Sequence, residues 1–224
     1  MQIQLPSGTA AELVEKEGSS RALVVIPDIW GLRPLFAELC QTLADRTGWT
    51  TICFEPFPGQ DLPGSDSPDG MARRSEALAT LKDSDVLGDA LAAADLTGKA
   101  EASIVGFCMG GMYALKASST GRFASVVSFY GMAHVPEAWA SADQGDPIEL
   151  LASRGETAVM QIAGTEDVFL PESDLLELEA AGVTVRRYEG AEHGFLHDPS
   201  RPAHRADYAE DAWARALTFL AGAS

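Results

Sequence analysis

Short apolar runs alternate along the chain with longer segments in which apolar residues recur at helical spacing. The runs that predict buried strands are Arg21–Pro27, Trp49–Phe54, Ala102–Phe107, Phe123–Tyr130, Thr157–Ala163 and Val183–Tyr188. The segments that predict helices are Pro34–Thr47, Gly70–Leu96 (one long helix or a broken pair), Gly110–Ser119, Pro171–Ala181 and Ala203–Gly222. Strands that alternate with helices build a parallel sheet covered on both faces, so the pattern predicts an α/β fold.

The remaining segments add a strand pair and two loops. Met1–Leu5 and Thr9–Lys16 predict a short strand pair that turns at Pro6-Ser7-Gly8. The segment 56–68 predicts a loop and the segment 134–154 predicts mostly loop, because prolines interrupt both of them. With no repeat and no linker in 224 residues, we expect a single domain over 1–224.

Composition and charge narrow the class of protein. Apolar residues make up 46% and charged residues 22%, which indicates a folded globular chain. The net charge of −17 argues against nucleic acid and against anionic membranes as partners, because like charges repel. No apolar run approaches the roughly 18 residues of a membrane span. We expect a small-molecule substrate and a monomer, with a dimer as the open alternative.

The N-terminus and the cysteines indicate the compartment. The first residues lack the basic and apolar regions of a signal peptide. The three cysteines, Cys40, Cys53 and Cys108, are widely spaced and include no CxxC pair. That spacing fits neither a disulfide framework nor a zinc site, so we expect free thiols, no metal, no cofactor and a cytoplasmic location.

Chemically active side chains follow several of the predicted strands. Asp28 follows the first buried strand, Cys108 the third, Asp167 the fifth and His193 the sixth. The carboxyl ends of parallel strands meet at one edge of a sheet, which is where ligands bind in such folds. We therefore expect a thiol, an imidazole and carboxylates at this edge.

The most specific motif is Gly106-Phe107-Cys108-Met109-Gly110-Gly111, between a strand and a helix. Its form is that of a sharp turn that exposes a nucleophile at a helix N-terminus, with glycines where neighbouring backbones come close. The helix N-terminus favours a thiolate at Cys108, and the Met109 N–H would face a developing oxyanion. Cys40 and Cys53 fall within a helix and a strand pattern, so we interpret them as buried core residues.

A cysteine nucleophile needs a base, and the base needs a group that orients it. His193 and Asp167 give the chain order nucleophile, acid, histidine, which is typical of α/β-hydrolases. The rivals of His193 are His134, His197 and His204, and the rival of Asp167 is the neighbouring Glu166. Zinc binding by His193 and His197 is excluded, because HExxH needs a glutamate where Gly194 stands.

These pieces resemble the dienelactone hydrolase family over nearly the whole chain. The matching segments are 25–31 (VIPDIWG), the turn around Cys108, Gly164-x-x-Asp167 and 192–195 (EHGF). The resemblance implies an α/β-hydrolase fold and an enzyme that hydrolyses lactones or carboxylic esters. It also implies Cys108 as nucleophile, His193 as base, Asp167 as the residue that orients the base, and an oxyanion hole from the amides of Ile29 and Met109.

The chain departs from the family pattern at two places. Well-known members carry a glutamate that pairs with the thiol where Asp28 stands, so Asp28 is either a thiol partner or a cap of the helix near Arg33. Those members also bind an anionic lactone with two arginines. His197 stands at the position of one arginine. Arg73 and Arg74 are candidates for the other, or form a solvated helix face, so the identity of the lactone stays open.

Aromatic residues near the strand ends are candidates for a substrate pocket, although each of them also fits a core position: Trp30, Phe57, Tyr130, Trp139 and Phe195. Two other functions fit the same thiol, namely thioester hydrolysis or acyl transfer, and a non-hydrolytic redox sensor. A nucleotide-binding loop is excluded, because Cys108 replaces the second glycine of G-x-G-x-x-G and no Gly-Lys-Ser/Thr follows.

Overall fold

The computed structural model describes residues 1–222, so the last two residues of the domain expected over 1–224 lie outside it. Within the described residues, eight strands form one sheet in the order β1-β2-β4-β3-β5-β6-β7-β8. The strands are β1 (Gln2–Gln4), β2 (Ala10–Val14), β3 (Arg21–Ile26), β4 (Thr50–Phe54), β5 (Glu101–Phe107), β6 (Ser125–Phe129), β7 (Ala158–Gly164) and β8 (Thr184–Tyr188).

The sheet is parallel from β4 to β8, and the hairpin β1–β2 joins it antiparallel to β4. Residues at or next to the carboxyl ends of neighbouring strands are paired with one another: Ile26 with Gly106, Phe107 with Phe129, and Gly164 with Tyr188. The chain therefore leaves β3, β5, β6, β7 and β8 at the same edge. The predicted parallel sheet and the α/β-hydrolase fold are confirmed.

The helices are α1 (Pro34–Thr47), α2 (Gly70–Leu78), α3 (Asp83–Leu96), α4 (Met109–Ala117), α5 (Pro147–Leu151), α6 (Glu172–Ala180) and α7 (Ala206–Leu220). The segment predicted as one helix or two is the pair α2 and α3. The segment 134–154, predicted to be mostly loop, contains the short helix α5 and a 3₁₀ turn at Glu137–Trp139. α5 begins at Pro147 and ends at the buried Leu151. Its five residues are too few to show a helical period in the sequence.

Both faces of the sheet are covered, as the continuous apolar strands require. Along β3, Val24 and Ile26 face the side that α3 and α4 cover. Leu23 and Val25 pack on the other side among residues of α1 and α7. Because the helices hold both faces, the loops at the carboxyl edge extend from a rigid platform. None of the helices within residues 1–222 is long and apolar enough to cross a membrane.

Candidate active site

The turn between β5 and α4 holds Cys108 in a strained backbone conformation, with φ 55° and ψ −118°. The glycines around it permit contacts that no side chain would allow. A Cβ at Gly106 would lie 1.9 Å from the Gly110 carbonyl oxygen, and a Cβ at Gly110 would lie 2.2 Å from that of Pro27. Glycine at both positions is therefore a steric requirement of the turn.

Cys108 is half-buried at the N-terminal end of α4. Its amide donates a hydrogen bond to the Phe129 carbonyl oxygen at 3.0 Å, which fixes the turn to the end of β6. The following amide, that of Met109, belongs to the first residue of the helix, where no intrahelical acceptor is available. The positive end of the helix dipole lies at this place and favours negative charge on a group that binds there.

His193 lies beside Asp167, although the loops that carry them follow different strands. The distance from His193 Nδ1 to Asp167 Oδ2 is 2.8 Å. Asp167 Oδ1 accepts a second hydrogen bond from the Phe169 amide at 2.9 Å. A Cβ at Gly164 would lie 2.1 Å from the Ala191 carbonyl oxygen, so the glycine lets the two loops approach.

The charge state of His193 depends on both of its neighbours. Burial opposes protonation of the ring, but the charge of a Cys108 thiolate and the Asp167 carboxylate outweigh it and raise the pKa of His193 to about 10. The Nε2 atom is buried and has no hydrogen-bond partner by distance and angle within residues 1–222. It is the ring nitrogen that remains available for proton transfer.

Asp28 takes neither of the two positions that the sequence suggested, and this corrects both interpretations. Its carboxylate accepts hydrogen bonds from the Arg33 guanidinium at 2.6 and 3.0 Å, from His197 Nε2 at 2.8 Å and from the Trp30 amide at 3.0 Å. With its oxygens so occupied, Asp28 makes no hydrogen bond to Cys108 and does not cap α1. Burial opposes ionisation, but the bonds from His197 and Arg33 hold the pKa of Asp28 below its ordinary value.

His197 was a candidate pocket residue, and its position corrects that prediction. Its side chain is fully buried, and both ring nitrogens are engaged, by Asp28 on one side and by the Tyr130 hydroxyl on the other. Burial lowers the pKa of His197 despite the charge of Asp28, which favours the neutral ring. A neutral, enclosed imidazole is no substitute for a substrate-binding arginine.

Arg74 also differs from its prediction, because it is neither solvated nor free to bind a substrate. It is 7% exposed and donates hydrogen bonds to the carbonyl oxygens of Ile29, Leu62 and Pro63. It thereby holds the loop after β3 against the loop before α2. Arg73 lies exposed on α2.

The aromatic residues predicted for a pocket are mostly core residues. Phe57, Tyr130 and Phe195 are at most 1% exposed, and Trp139 is 9% exposed. Trp30 is half-buried, and the guanidinium carbon of Arg74 lies over it at 5.7 Å from the centre of the Trp30 ring. Tyr130 alone among them contacts the predicted base, with its ring edge-on to that of His193 at 5.2 Å.

A cavity of about 770 Å³ opens beside His193. Its lining consists of Glu166, Val168, Phe169, Glu192, His193, Arg201, Pro202 and Ala203. Two of these residues, Val168 and Phe169, are large apolar side chains that are 83% and 54% exposed. The sequence shows this apolar pair directly after Asp167, but no pattern in it assigns the pair to a pocket. Arg201 carried no motif that could have identified it.

The amides of Ile29 and Met109 follow neighbouring strands, β3 and β5, at the carboxyl edge. Neither amide donates a hydrogen bond to an acceptor within residues 1–222. The Arg74 guanidinium donates a hydrogen bond to the Ile29 carbonyl oxygen at 2.9 Å. This contact fixes the backbone of Ile29, which carries one of the two amide donors. The arrangement is available for an oxyanion. Among the described residues, no cluster of three metal-binding side chains occurs.

Comparison with known proteins places the chain among hydrolases. It is 25% identical over 212 residues to the carboxymethylenebutenolidase of Rhodococcus opacus, with 91% of this chain and 81% of the relative covered. It is 27% identical over 215 residues to a protein of Synechocystis sp. that is provisionally named carboxymethylenebutenolidase, with 88% and 83% covered.

A crystal structure from Klebsiella pneumoniae, provisionally named a dienelactone hydrolase, has the same fold. It superimposes with a TM-score of 0.83 at 23% identity, over 99% of this chain and 97% of the other. The model of the dienelactone hydrolase family matches residues 9–224. The chain therefore belongs to the dienelactone hydrolase family.

Proposed function

We propose that this hydrolase cleaves small lactones or carboxylic esters through a thioester on Cys108. The observation that carries the proposal is the contact from Asp167 to His193, whose Nε2 has no hydrogen-bond partner within residues 1–222 and whose ring interacts with Cys108. Asp167 keeps the proton of the neutral ring on Nδ1, so that Nε2 is the atom that exchanges protons with reactants.

In the first half-reaction, the Cys108 thiolate attacks the carbonyl carbon, and the carbonyl electron pair moves to the oxygen. The amides of Ile29 and Met109 donate hydrogen bonds to this oxyanion. When the intermediate collapses, the carbon–oxygen bond of the ester breaks, and the alkoxide takes the proton of His193 Nε2. An ester gives a thioester on Cys108 and a free alcohol. A lactone gives a single product, a ring-opened thioester on Cys108 that carries the new hydroxyl group.

In the second half-reaction, water attacks the thioester while His193 Nε2 accepts one of its protons. The tetrahedral intermediate collapses, the carbon–sulfur bond breaks, and the electron pair returns to the sulfur. A carboxylic acid leaves, and the thiolate and the imidazolium are restored. The raised pKa of His193 favours the protonated ring, which is the proton donor that the departing alkoxide requires.

The cavity beside His193 offers a substrate apolar surface and one cation, together with the carboxylates of Glu166 and Glu192. Val168 and Phe169 provide apolar surface, and Arg201 is a half-buried cation without an ion pair to any described residue. The relatives' name, carboxymethylenebutenolidase, describes action on a lactone that bears a carboxylate. We infer that Arg201 binds such a group in this chain, because His197 and Arg74 are engaged elsewhere.

The test is turnover of p-nitrophenyl acetate and a panel of lactones, including a dienelactone, by the wild type and by Cys108→Ala. We expect turnover that disappears in the variant, with an acyl-enzyme adduct of the wild type detected by mass spectrometry. The matched control is Cys40→Ala, because Cys40 is a buried thiol in α1. Turnover that survives in Cys108→Ala would refute the thioester mechanism.

A further inference from the structure

A second hydrogen-bonded chain lies beneath the proposed catalytic residues. It runs from Arg33 to Asp28, to His197 and to the hydroxyl of Tyr130. The side chains of Asp28 and His197 are at most 1% exposed, and Tyr130 is fully buried. The proposed reaction uses none of these groups. Burying any of these polar side chains alone would cost free energy, so the chain is stable only because its members are hydrogen-bonded to one another.

The hydrogen bonds fix the direction of every donor in the chain. An ionised carboxylate can only accept, so the proton between Asp28 and His197 lies on Nε2 of the ring. In the neutral ring the other nitrogen, Nδ1, then carries no proton and accepts a hydrogen bond from the Tyr130 hydroxyl. The Tyr130 hydroxyl is therefore committed to His197 and cannot donate to the thiol or to an oxyanion.

The end of this chain contacts the catalytic histidine. Tyr130 directly follows β6 and holds a left-handed backbone conformation, with φ 43°, which is rare for an aromatic residue. Its ring lies edge-on to His193, with the ring centres 5.2 Å apart at 65°. The hydrogen bond to His197 holds the hydroxyl end of the Tyr130 ring. The Tyr130 ring therefore cannot turn away from His193 unless this hydrogen bond breaks.

We propose that Asp28, His197 and Tyr130 form a positioning chain that holds the imidazole of His193 in its orientation toward Cys108. Asp167 fixes one edge of the imidazole through a hydrogen bond, and Tyr130 supports the ring from a second direction. In this inference Asp28 acts through His197 and Tyr130 rather than on the thiol. It rests on the proposed function only as far as His193 serves Cys108.

Tyr130→Phe is the sharpest test, because it removes one hydroxyl and leaves the ring in place. We expect kcat for p-nitrophenyl acetate to fall about tenfold with little change in KM, since a loosened base is misplaced in the transition state. We also expect the pH midpoint of Cys108 alkylation by iodoacetamide to shift, because the thiolate loses a well-placed imidazolium. His197→Gln, which keeps a donor toward Asp28 but offers Tyr130 a differently placed acceptor, should give a similar pattern.

The matched control is His134→Gln, since His134 also makes two hydrogen bonds to carboxylates but lies outside the site. It should leave kcat and the alkylation profile unchanged. If Tyr130→Phe lowers only the melting temperature and leaves kcat and the alkylation profile at wild-type values, the chain is structural and the proposal is wrong. If the wild type hydrolyses no ester, the proposed function fails, and the alkylation profile still decides the positioning role.

Discussion

The guanidinium of Arg201 lies directly on the backbone of Gly194. A side-chain carbon at position 194 would stand 2.5 Å from Arg201 Nη1, and Gly194 itself has φ 78°. Glycine thus meets two demands, a left-handed backbone and space for an arginine. The contact places a cation next to His193, in the cavity that we propose for the substrate.

Arg201→Gln should impair substrates that carry a carboxylate more than neutral ones. The comparison is p-nitrophenyl hemisuccinate against p-nitrophenyl butyrate, which share a leaving group and nearly share a chain length. We expect kcat/KM for the hemisuccinate to fall about 10- to 100-fold, as for the loss of a charged hydrogen bond, and that for the butyrate to change little. Arg186→Gln, at an exposed arginine of β8, is the control. An equal loss on both esters would contradict recognition of the anion by Arg201.

Asp167→Asn should lower kcat by about 10²- to 10⁴-fold with a smaller change in KM, because an amide no longer enforces the tautomer of His193. The measurement is steady-state kinetics on p-nitrophenyl acetate. Glu166→Gln tests the neighbouring, exposed carboxylate, and its effect should be far smaller. The reverse order of the two effects would mean that Glu166 is the orienting group.

Gly110→Ala should destabilise the protein severely, because the added carbon would meet the carbonyl oxygens of Pro27 and Ile26 at 2.2 and 2.3 Å. We expect a loss of about 3 kcal/mol or more in the free energy of unfolding, comparable to overpacking in a core. Gly88→Ala in α3 is the matched control, since a Cβ there meets no atom within 4 Å. It should stabilise the helix by about 0.5–1 kcal/mol. Urea unfolding measures both, and similar stabilities of the two variants would contradict the steric explanation.

His134 should make the stability depend on pH. Its hydrogen bond to Asp146 raises its pKa above the ordinary 6.5, against a smaller effect of burial. Because the pKa of His134 is higher in the folded protein than in the unfolded chain, protonation of His134 stabilises the fold. This contribution is complete below pH 6.5, and it disappears as the pH rises through the pKa of the folded protein. We expect His134→Gln to lower the melting temperature more at pH 5.5 than at pH 9.5. The ring is 40% exposed, so solvent screening limits the effect to a few tenths of a kcal/mol. An equal shift at both pH values would argue against a charged His134.

The sequence predicted the parallel sheet and the strand ends well, because buried strands are apolar throughout and the glycines around Cys108 are sterically required. It did not predict the partners of Asp28. His197 is separated from it by 169 positions, and no periodicity reports a contact over that distance. Arg74 looked like a solvated helix residue, because only the structure shows the backbone carbonyls that surround it. Arg201 lies in a loop, where position in space is independent of any repeat.

The order of the strands also has a consequence for folding. Cys108, Asp167 and His193 follow β5, β7 and β8, and β6 stands between the first two. Asp167 and His193 can meet once the single crossover through α6 has closed. Cys108 joins them only when all the crossovers from β5 to β8 have closed, which is a slow and cooperative event. Loss of ester hydrolysis in rising denaturant should therefore coincide with loss of the sheet, so that activity serves as a report on complete folding.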